Sequence, residues 1–173
     1  MSGASVRIET SLEDKELQDA FRRMQKAVAN PTGILKAIGT GLVEGTHQRF
    51  EQAVDPEGKP WKPLNTVYAS SKRGAGILRE SGMRGGLMGS VTMQADSDSV
   101  EVGTNKIYAA VHQFGATITA KKAKRLFFFM GDQAFRPQSV TIEARPFIGI
   151  SKEDEEMTLD VVEGALLRAS GKT

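Results

Sequence analysis

The sequence contains no cysteine and only two histidines, His47 and His112, among its 173 residues. Without cysteine there are no disulfides, no cysteine-ligated zinc and no thiol nucleophiles. Two histidines also argue against a histidine-built metal site. We therefore expect neither a bound metal nor another cofactor.

Long apolar runs are also missing, since none approaches the roughly 20 residues needed to span a bilayer. The N-terminal residues lack the apolar segment of a signal peptide. The net charge of +2 supplies no global field for binding nucleic acid or an anionic membrane. We expect a soluble protein made in a cytoplasm, folded as a single domain over residues 1–173, with no membrane partner.

Hydrophobic spacing predicts helices at the N-terminal end. After a short strand at residues 6–10, Ser11 is a candidate N-cap for a helix ending near Asn30, before Pro31. A second helix is predicted from Pro31 to about residue 50. It contains Gly41 and Gly45 on one side, each costing about 1 kcal/mol against alanine, so we expect the backbone of another element to approach closely there.

Residues 55–90 are rich in proline, glycine and basic side chains. We predict a long flexible arm, with Trp61 as an anchor on the domain surface or in a partner, and a helical turn around residues 77–78. The arm and the Trp61 loop are expected to become ordered on assembly.

Strands are predicted in the C-terminal half. Residues 91–93 and 100–102 form a hairpin around a turn at 96–98, and residues 126–130 pair with 140–144 in a longer hairpin. A helix at 107–114 lies between them, and Ser151 caps a last helix. The fold class is therefore α+β: a small antiparallel sheet of two hairpins packed on N- and C-terminal helices.

Catalytic motifs are weak. His112 is the better candidate for a general base, but its position on a short amphipathic helix favours a structural histidine bonded to a loop carbonyl. His47 is expected on the surface. No GxSxG elbow occurs, and the glycine-rich stretches lack the Gly-Lys-Ser/Thr ending of a phosphate-binding loop. We expect no enzyme, and a hydrolase would require a cleft holding His112 beside a serine and a carboxylate.

A basic run precedes three consecutive phenylalanines, and its candidate DNA-phosphate contacts are Lys121, Lys122, Lys124 and Arg125. Because strand side chains alternate, Phe127 and Phe129 should share one face and Phe128 the other. This favours a strand buried on both sides, in a core or a subunit contact, over a single-strand binding platform. Any DNA contact would be through phosphates, without sequence specificity.

The charge distribution favours self-association. Residues 59–84 are basic, whereas residues 153–163 are acidic, and opposite charges of this kind support a head-to-tail contact that can close into a ring.

Six segments in a fixed order resemble the phage virion morphogenesis family, which includes the tail completion proteins of phages Mu and P2. The most specific are YAAVHQFG at residues 108–115 and ARPFIG at residues 144–149. The others are WKPL at 61–64, ILRESG at 77–82, GSV at 89–91 and VGT at 102–104. The sequence departs from the family pattern after Gly82, where extra glycines occur.

The resemblance implies a structural virion protein of the tail or neck, assembled in the host cytoplasm and joining tail to head. Its implied partners are other copies of itself in a ring, a tail terminator or tail tube protein, and a connector or neck protein. The alternatives are a DNA-contacting adaptor, a tail terminator ring, or an assembly chaperone absent from the mature virion.

Candidate contact residues lie in the matching and neighbouring segments, although the motif residues could instead mainly maintain the fold. They are Trp61, Leu64, Arg73, Arg79, Arg84, His112, Gln113, Phe114, Phe128, Arg145 and Phe147.

Overall fold

The computed structural model describes residues 15–72, 74, 76–79, 86–121 and 123–171. The helices are α1 (Lys15–Ala29), α2 (Thr32–Gln52), α3 (Thr66–Ser71), α4 (Ala109–Phe114) and α5 (Lys152–Ser170), with a 3₁₀ turn at Met88–Ser90. The strands are β1 (Val91–Ala95), β2 (Val100–Thr104), β3 (Ala116–Thr119), β4 (Phe128–Met130), β5 (Gln133–Phe135) and β6 (Ser139–Ile142). The predicted α+β class is confirmed. The predicted strand at residues 6–10 and the cap at Ser11 lie outside the described residues.

Helix α2 is the central element, with β1 and β2 on one side and α5 on another. Gly39 faces the hairpin, where a Cβ would overlap with Val100. Gly41 and Gly45 face α5, where a Cβ would overlap with Met157 and Asp154. A close approach is therefore present, but side chains of α5 make it, and not the backbone that the sequence predicted.

Aromatic rings fill the core beneath α2. Phe50 is fully buried, and its ring lies 5.6 Å from that of Trp61 and 5.1 Å from that of Phe147. Leu87, Met88, Val91 and Ala109 complete this buried cluster. Because its members come from five separate stretches of chain, the core joins α2 to the ARPFIG segment.

The first predicted hairpin is confirmed, with Val91 opposite Thr104 and Ala95 opposite Val100. The predicted pairing of residues 126–130 with 140–144 is wrong. Strand β4 pairs with β5, Phe128 opposite Phe135, whereas β6 pairs with β3, Ala116 opposite Ile142. A positive φ of 59° at Gly131 lets the chain reverse directly after Met130, so β4 finds its partner immediately.

The basic run leaves the β-ladder between these two sheets. Ala120 donates its backbone N–H to Gln138, and Leu126 donates to Pro137, which is the adjacent residue. The described residues between Ala120 and Leu126 thus have no counterpart on the opposite strand. As a result, the chain from β3 to β6 is one long interrupted hairpin with a basic loop along one side.

The C-terminal helix begins with a capping box. The Ser151 hydroxyl accepts from the Asp154 N–H at 3.2 Å, and the Asp154 carboxylate accepts from the Ser151 N–H at 2.9 Å. Helix α1 lies against α5, and Arg23 donates to the carbonyl oxygen of Ala169 at 2.9 Å. None of the α1 side chains is fully buried.

The described part of residues 55–90 contains regular structure. The Asp55 carboxylate accepts from the N–H groups of Glu57 and Lys59, and Asn65 caps α3. Residues 77–78 form a turn, but it is not the predicted helical turn, because Leu78 adopts a left-handed φ of 58°. Flexibility of this arm remains a prediction. Among the described helices, none is both long and apolar enough to cross a membrane.

Candidate interaction surfaces

Gln113 fastens α4 to the ARPFIG segment. Its side-chain carbonyl accepts from the N–H groups of Phe147 and Ile148, at 3.0 and 3.1 Å. Its amide donates to the carbonyl oxygen of Ile148 at 2.8 Å. The side chain therefore substitutes for a β-strand partner along this segment, which explains why the YAAVHQFG and ARPFIG segments occur together.

Arg145 and Trp61 join the same segment to the WKPL segment. The Arg145 guanidinium donates to the carbonyl oxygen of Lys62 through two nitrogens, at 3.1 and 3.0 Å. The Trp61 indole donates to the carbonyl oxygen of Pro146 at 2.9 Å. The WKPL, YAAVHQFG and ARPFIG segments are thus held together inside the subunit.

These contacts correct three of the candidate contact residues. Trp61, Arg145 and Phe147 are 5%, 7% and 1% exposed, so they have almost no surface to offer another molecule. The indole is an anchor within the subunit, because the proline-rich loop folds back onto Phe50. These motif residues maintain the fold, which is the alternative that the sequence left open.

A buried ion pair was not anticipated from the sequence. Arg49 donates to Asp154 at 2.7 Å, and their side chains are 6% and 4% exposed. Arg49 also donates to Thr46 at 2.9 Å and to the carbonyl oxygens of Phe147 and Gly149, both at 3.1 Å. The only available signal was a charged residue beside Phe50 on the apolar side of α2.

His112 lines a cleft of about 1030 Å³ between the WKPL segment, α3 and the inner side of the β4–β5 hairpin. Its Nδ1 atom is buried and has no hydrogen-bond partner among the described residues, so the predicted bond to a loop carbonyl is not made there. Burial lowers the pKa of His112, and the positive charge of Arg145 lowers it further.

His47, expected on the surface, is half-buried with Nε2 3.1 Å from the carbonyl oxygen of Met88.

The cleft includes Ser139 and Glu143 beside His112, which is the set that a hydrolase would require. Among the described residues, however, no hydrogen bond joins the His112 ring to either side chain. Glu143 instead forms an ion pair with Lys62, and the ring of Tyr108 lies edge-on to that of His112 at 6.0 Å. The described contacts of His112 and Glu143 are therefore with Tyr108 and Lys62, and not with each other.

Leu64 and Phe128 also line the cleft, and Phe128 stacks on Phe135 at 5.8 Å. Phe114 lies elsewhere on the surface and is 78% exposed, while Arg79 is half-buried. Arg73, Arg84 and Lys122 lie outside the described residues.

The outer side of the β4–β5 hairpin carries two exposed phenylalanines. Phe127 and Phe129 are 57% and 62% exposed, and their rings meet edge-to-face at 5.2 Å. The prediction that Phe127 and Phe129 share one face is confirmed. The prediction that this strand is buried on both sides is wrong within the subunit, because both rings are exposed. Arg136 lies over the ring of Phe127, and Arg125 donates to the carbonyl oxygen of Arg136 at 3.2 Å. With the exposed lysines of the adjoining loop they complete what we call the basic aromatic face, which consists of Lys121, Lys124, Arg125, Phe127, Phe129 and Arg136.

A second surface of opposite charge covers the outer side of α5. Leu159 is 69% exposed and lies three or four residues from Glu155, Glu156 and Glu163, so these carboxylates surround it on the helix. Asp154 and Met157 point the other way, toward α2. We call Glu155, Glu156, Leu159, Asp160 and Glu163 the acidic face; all five are exposed.

Comparison with known proteins identifies the class. The profile of the phage virion morphogenesis family matches residues 12–167, so the chain belongs to this family. It is a structural or assembly protein of a phage virion.

Individual relatives agree with this assignment. The chain is 30% identical over 150 residues to "Putative capsid assembly protein G" of Escherichia phage Mu, covering 82% of this chain and 86% of the relative. It is 27% identical to "Mu-like prophage FluMu G protein 2" of Haemophilus influenzae, covering 86% of this chain and 88% of the relative. No solved structure matches.

Proposed function

We propose that this protein is a non-enzymatic component of the head–tail junction, where copies of it form a ring that joins a finished tail to a packaged head. The observation that carries the proposal is membership of the virion morphogenesis family over residues 12–167. The two charged surfaces, each with exposed apolar side chains at its centre, support a role in protein contacts.

The proposed location is the tail or neck of the virion, after assembly in the host cytoplasm. The proposed neighbours are a tail terminator or tail tube protein on one side and a connector or neck protein on the other. The name of the phage Mu relative refers to capsid assembly, which fits a protein acting at the end of the tail that meets the head.

Deleting the gene from its phage tests the proposal. We expect lysates with separate filled heads and separate tails under the electron microscope, and infectivity restored by the wild-type chain supplied in trans. Purified wild-type particles should contain peptides of this chain. Joined, infectious particles formed without it would contradict the proposal, and a required chain that is absent from finished particles would instead be an assembly chaperone.

A DNA-contacting adaptor is the second candidate, because Lys121, Lys124 and Arg125 are exposed on a loop outside the β-ladder. This candidate requires a DNA affinity that falls steeply with salt and is lost when the four basic residues of 121–125 are neutralised. If that affinity is absent, the protein acts through protein contacts alone.

A further inference from the structure

We propose that the basic aromatic face of one copy binds the acidic face of a second copy, in a head-to-tail contact between subunits. This inference rests on the proposed function, of which it specifies the self-contact. It is drawn from the charges, exposure and ring geometry of the two faces.

The basic aromatic face has the composition of a protein interface. Two exposed phenylalanines supply its apolar part, Arg136 lies over Phe127, and the other cations are exposed on the adjoining loop, where charges tolerate partial hydration. Asp132 is the only acidic residue within residues 121–136. None of the described cations on this face forms an ion pair with a described carboxylate of its own chain. The face therefore offers unneutralised positive charge around an apolar centre.

The ring geometry favours a protein over a nucleic acid as the occupant. A base stacks on the open face of an aromatic ring. Here the guanidinium of Arg136 lies 5.1 Å from the centroid of Phe127, covering one of its faces. Phe127 and Phe129 also contact each other edge-to-face rather than forming two parallel platforms. An aliphatic side chain can pack against the exposed surface of such a ring pair, whereas a base cannot stack on both rings.

The acidic face supplies the complementary features in the same chain. Leu159 is an exposed aliphatic side chain surrounded by carboxylates. None of the carboxylates on this face forms an ion pair with a basic residue in the described part of its own chain. We place Leu159 of one copy against Phe127 and Phe129 of the next, with the carboxylates facing Lys124, Arg125 and Arg136.

The symmetry of the contact follows from its two different halves. The faces lie on separate elements, β4–β5 and its flanks on one side and α5 on the other, so each copy can bind one neighbour with each face. Such a heterologous contact closes into a ring when the rotation per subunit permits.

Charge reversal with complementation tests the inference on the full-length protein. A first variant carries Lys124→Glu and Arg125→Glu, and a second carries Glu156→Lys and Glu163→Lys. We expect the self-association constant of each variant alone to be at least about tenfold lower than that of the wild type, measured by sedimentation velocity at low salt. An equimolar mixture should associate again, because each reversed face then meets a face of opposite charge.

The control variants are Lys36→Glu and Glu101→Lys, which reverse exposed charges on α2 and β2. They should associate like the wild type. Far-ultraviolet circular dichroism checks that every variant is folded. A further variant with Phe127→Ser and Phe129→Ser tests the apolar centre of the face without altering its charge.

Three results would overturn the inference: a wild-type protein that stays monomeric at high concentration, single variants that associate normally, or a mixture that stays dissociated. Salt-sensitive DNA binding lost in the first variant, with self-association unchanged, would assign the basic aromatic face to DNA. The gene-deletion experiment is independent of these outcomes, so a failed contact and a failed proposed function are distinguishable.

Discussion

Arg49 and Asp154 illustrate how a single pair of residues closes this fold. Arg49 binds a side chain of α5, a side chain of its own helix and two carbonyl oxygens of the ARPFIG segment. Asp154 is shared between this ion pair and the capping box of α5. The N-terminal start of α5 is therefore held directly against α2.

Removing one member of the pair should be costly, since the other charge stays buried. For Asp154→Asn we expect a loss of about 3–5 kcal/mol in the free energy of unfolding, measured by urea titration. The control is Glu143→Gln, which breaks the exposed pair with Lys62 and should cost at most about 1 kcal/mol. Equal effects of the two substitutions would contradict the structural role of Arg49.

His112 should make stability depend on pH. Its pKa is lowered in the folded state by burial and by Arg145, so the unfolded chain binds its proton more readily. The stabilisation that depends on neutral His112 is therefore fully present above the pKa of the unfolded chain, about 6.5. It is lost as the pH falls from there through the lowered pKa of the folded state.

Replacing His112 tests this directly. Thermal unfolding of His112→Gln between pH 7.5 and 5 should show a smaller loss of stability than the wild type. Nuclear magnetic resonance of the folded wild type should place the His112 pKa below 6.5. A value at or above 6.5 would refute the prediction.

At the scale of elements, the α2–α5 contact depends on the absence of side chains at Gly41 and Gly45. A Cβ at Gly45 would overlap with Oδ1 of Asp154. That carboxylate cannot move aside freely, because Arg49 and the Ser151 N–H hold it. The contact explains why a helix tolerates glycines in its interior.

Gly45→Ala should therefore destabilise the protein by about 1–3 kcal/mol, although alanine is the better helix former. Gly33→Ala is the matched control on the same helix, since nothing lies within 4 Å of a Cβ there. It should be neutral or stabilising by up to about 1 kcal/mol. Urea unfolding measures both, and a stabilising Gly45→Ala would show that α2 and α5 are farther apart than described.

The interrupted hairpin shows why element pairing was harder to predict than element type. The sequence predicted strands at residues 126–130 and 140–144, which overlap β4 and β6, but it predicted no strand at β3 or β5. The partners of β4 and β6 depended on the reversal at Gly131 and on the loop that leaves the ladder after Ala120. The reversal at Gly131 is a local turn, whereas the loop after Ala120 depends on the register between distant parts of the chain, which local propensity does not report.

At the scale of the whole molecule, stability should be unevenly distributed. The buried cluster joins α2, the Trp61 loop, β1, α4 and the ARPFIG segment. Helix α1 contributes no fully buried side chain, and Leu17, Phe21 and Val28 are 39%, 54% and 63% exposed. Opening α1 locally therefore sacrifices little of the core.

Hydrogen exchange on the dilute subunit should reveal this difference. Amides of α1 should exchange through local opening, at a rate that responds weakly to low concentrations of urea. Amides of α2 should exchange only through global unfolding, with a strong response. Identical responses of the two helices would mean that α1 belongs to the same cooperative unit as the core.

Much of the molecule followed from the sequence alone. Hydrophobic period, caps and turn residues determined the long helices, the first hairpin and the α+β class, because each is a local property of a few neighbouring residues. The order of the resembling segments was sufficient to indicate the family.

Which residues of those segments face inward depended on contacts between distant parts of the chain. The sequence indicated Trp61, Arg145 and Phe147 as contact residues. They are buried instead, because separate stretches of the chain fold back onto one another. The Arg49–Asp154 pair and the two charged faces likewise join residues far apart in the chain. Burial and charge complementarity are properties of surfaces, and surfaces arise only when distant segments pack.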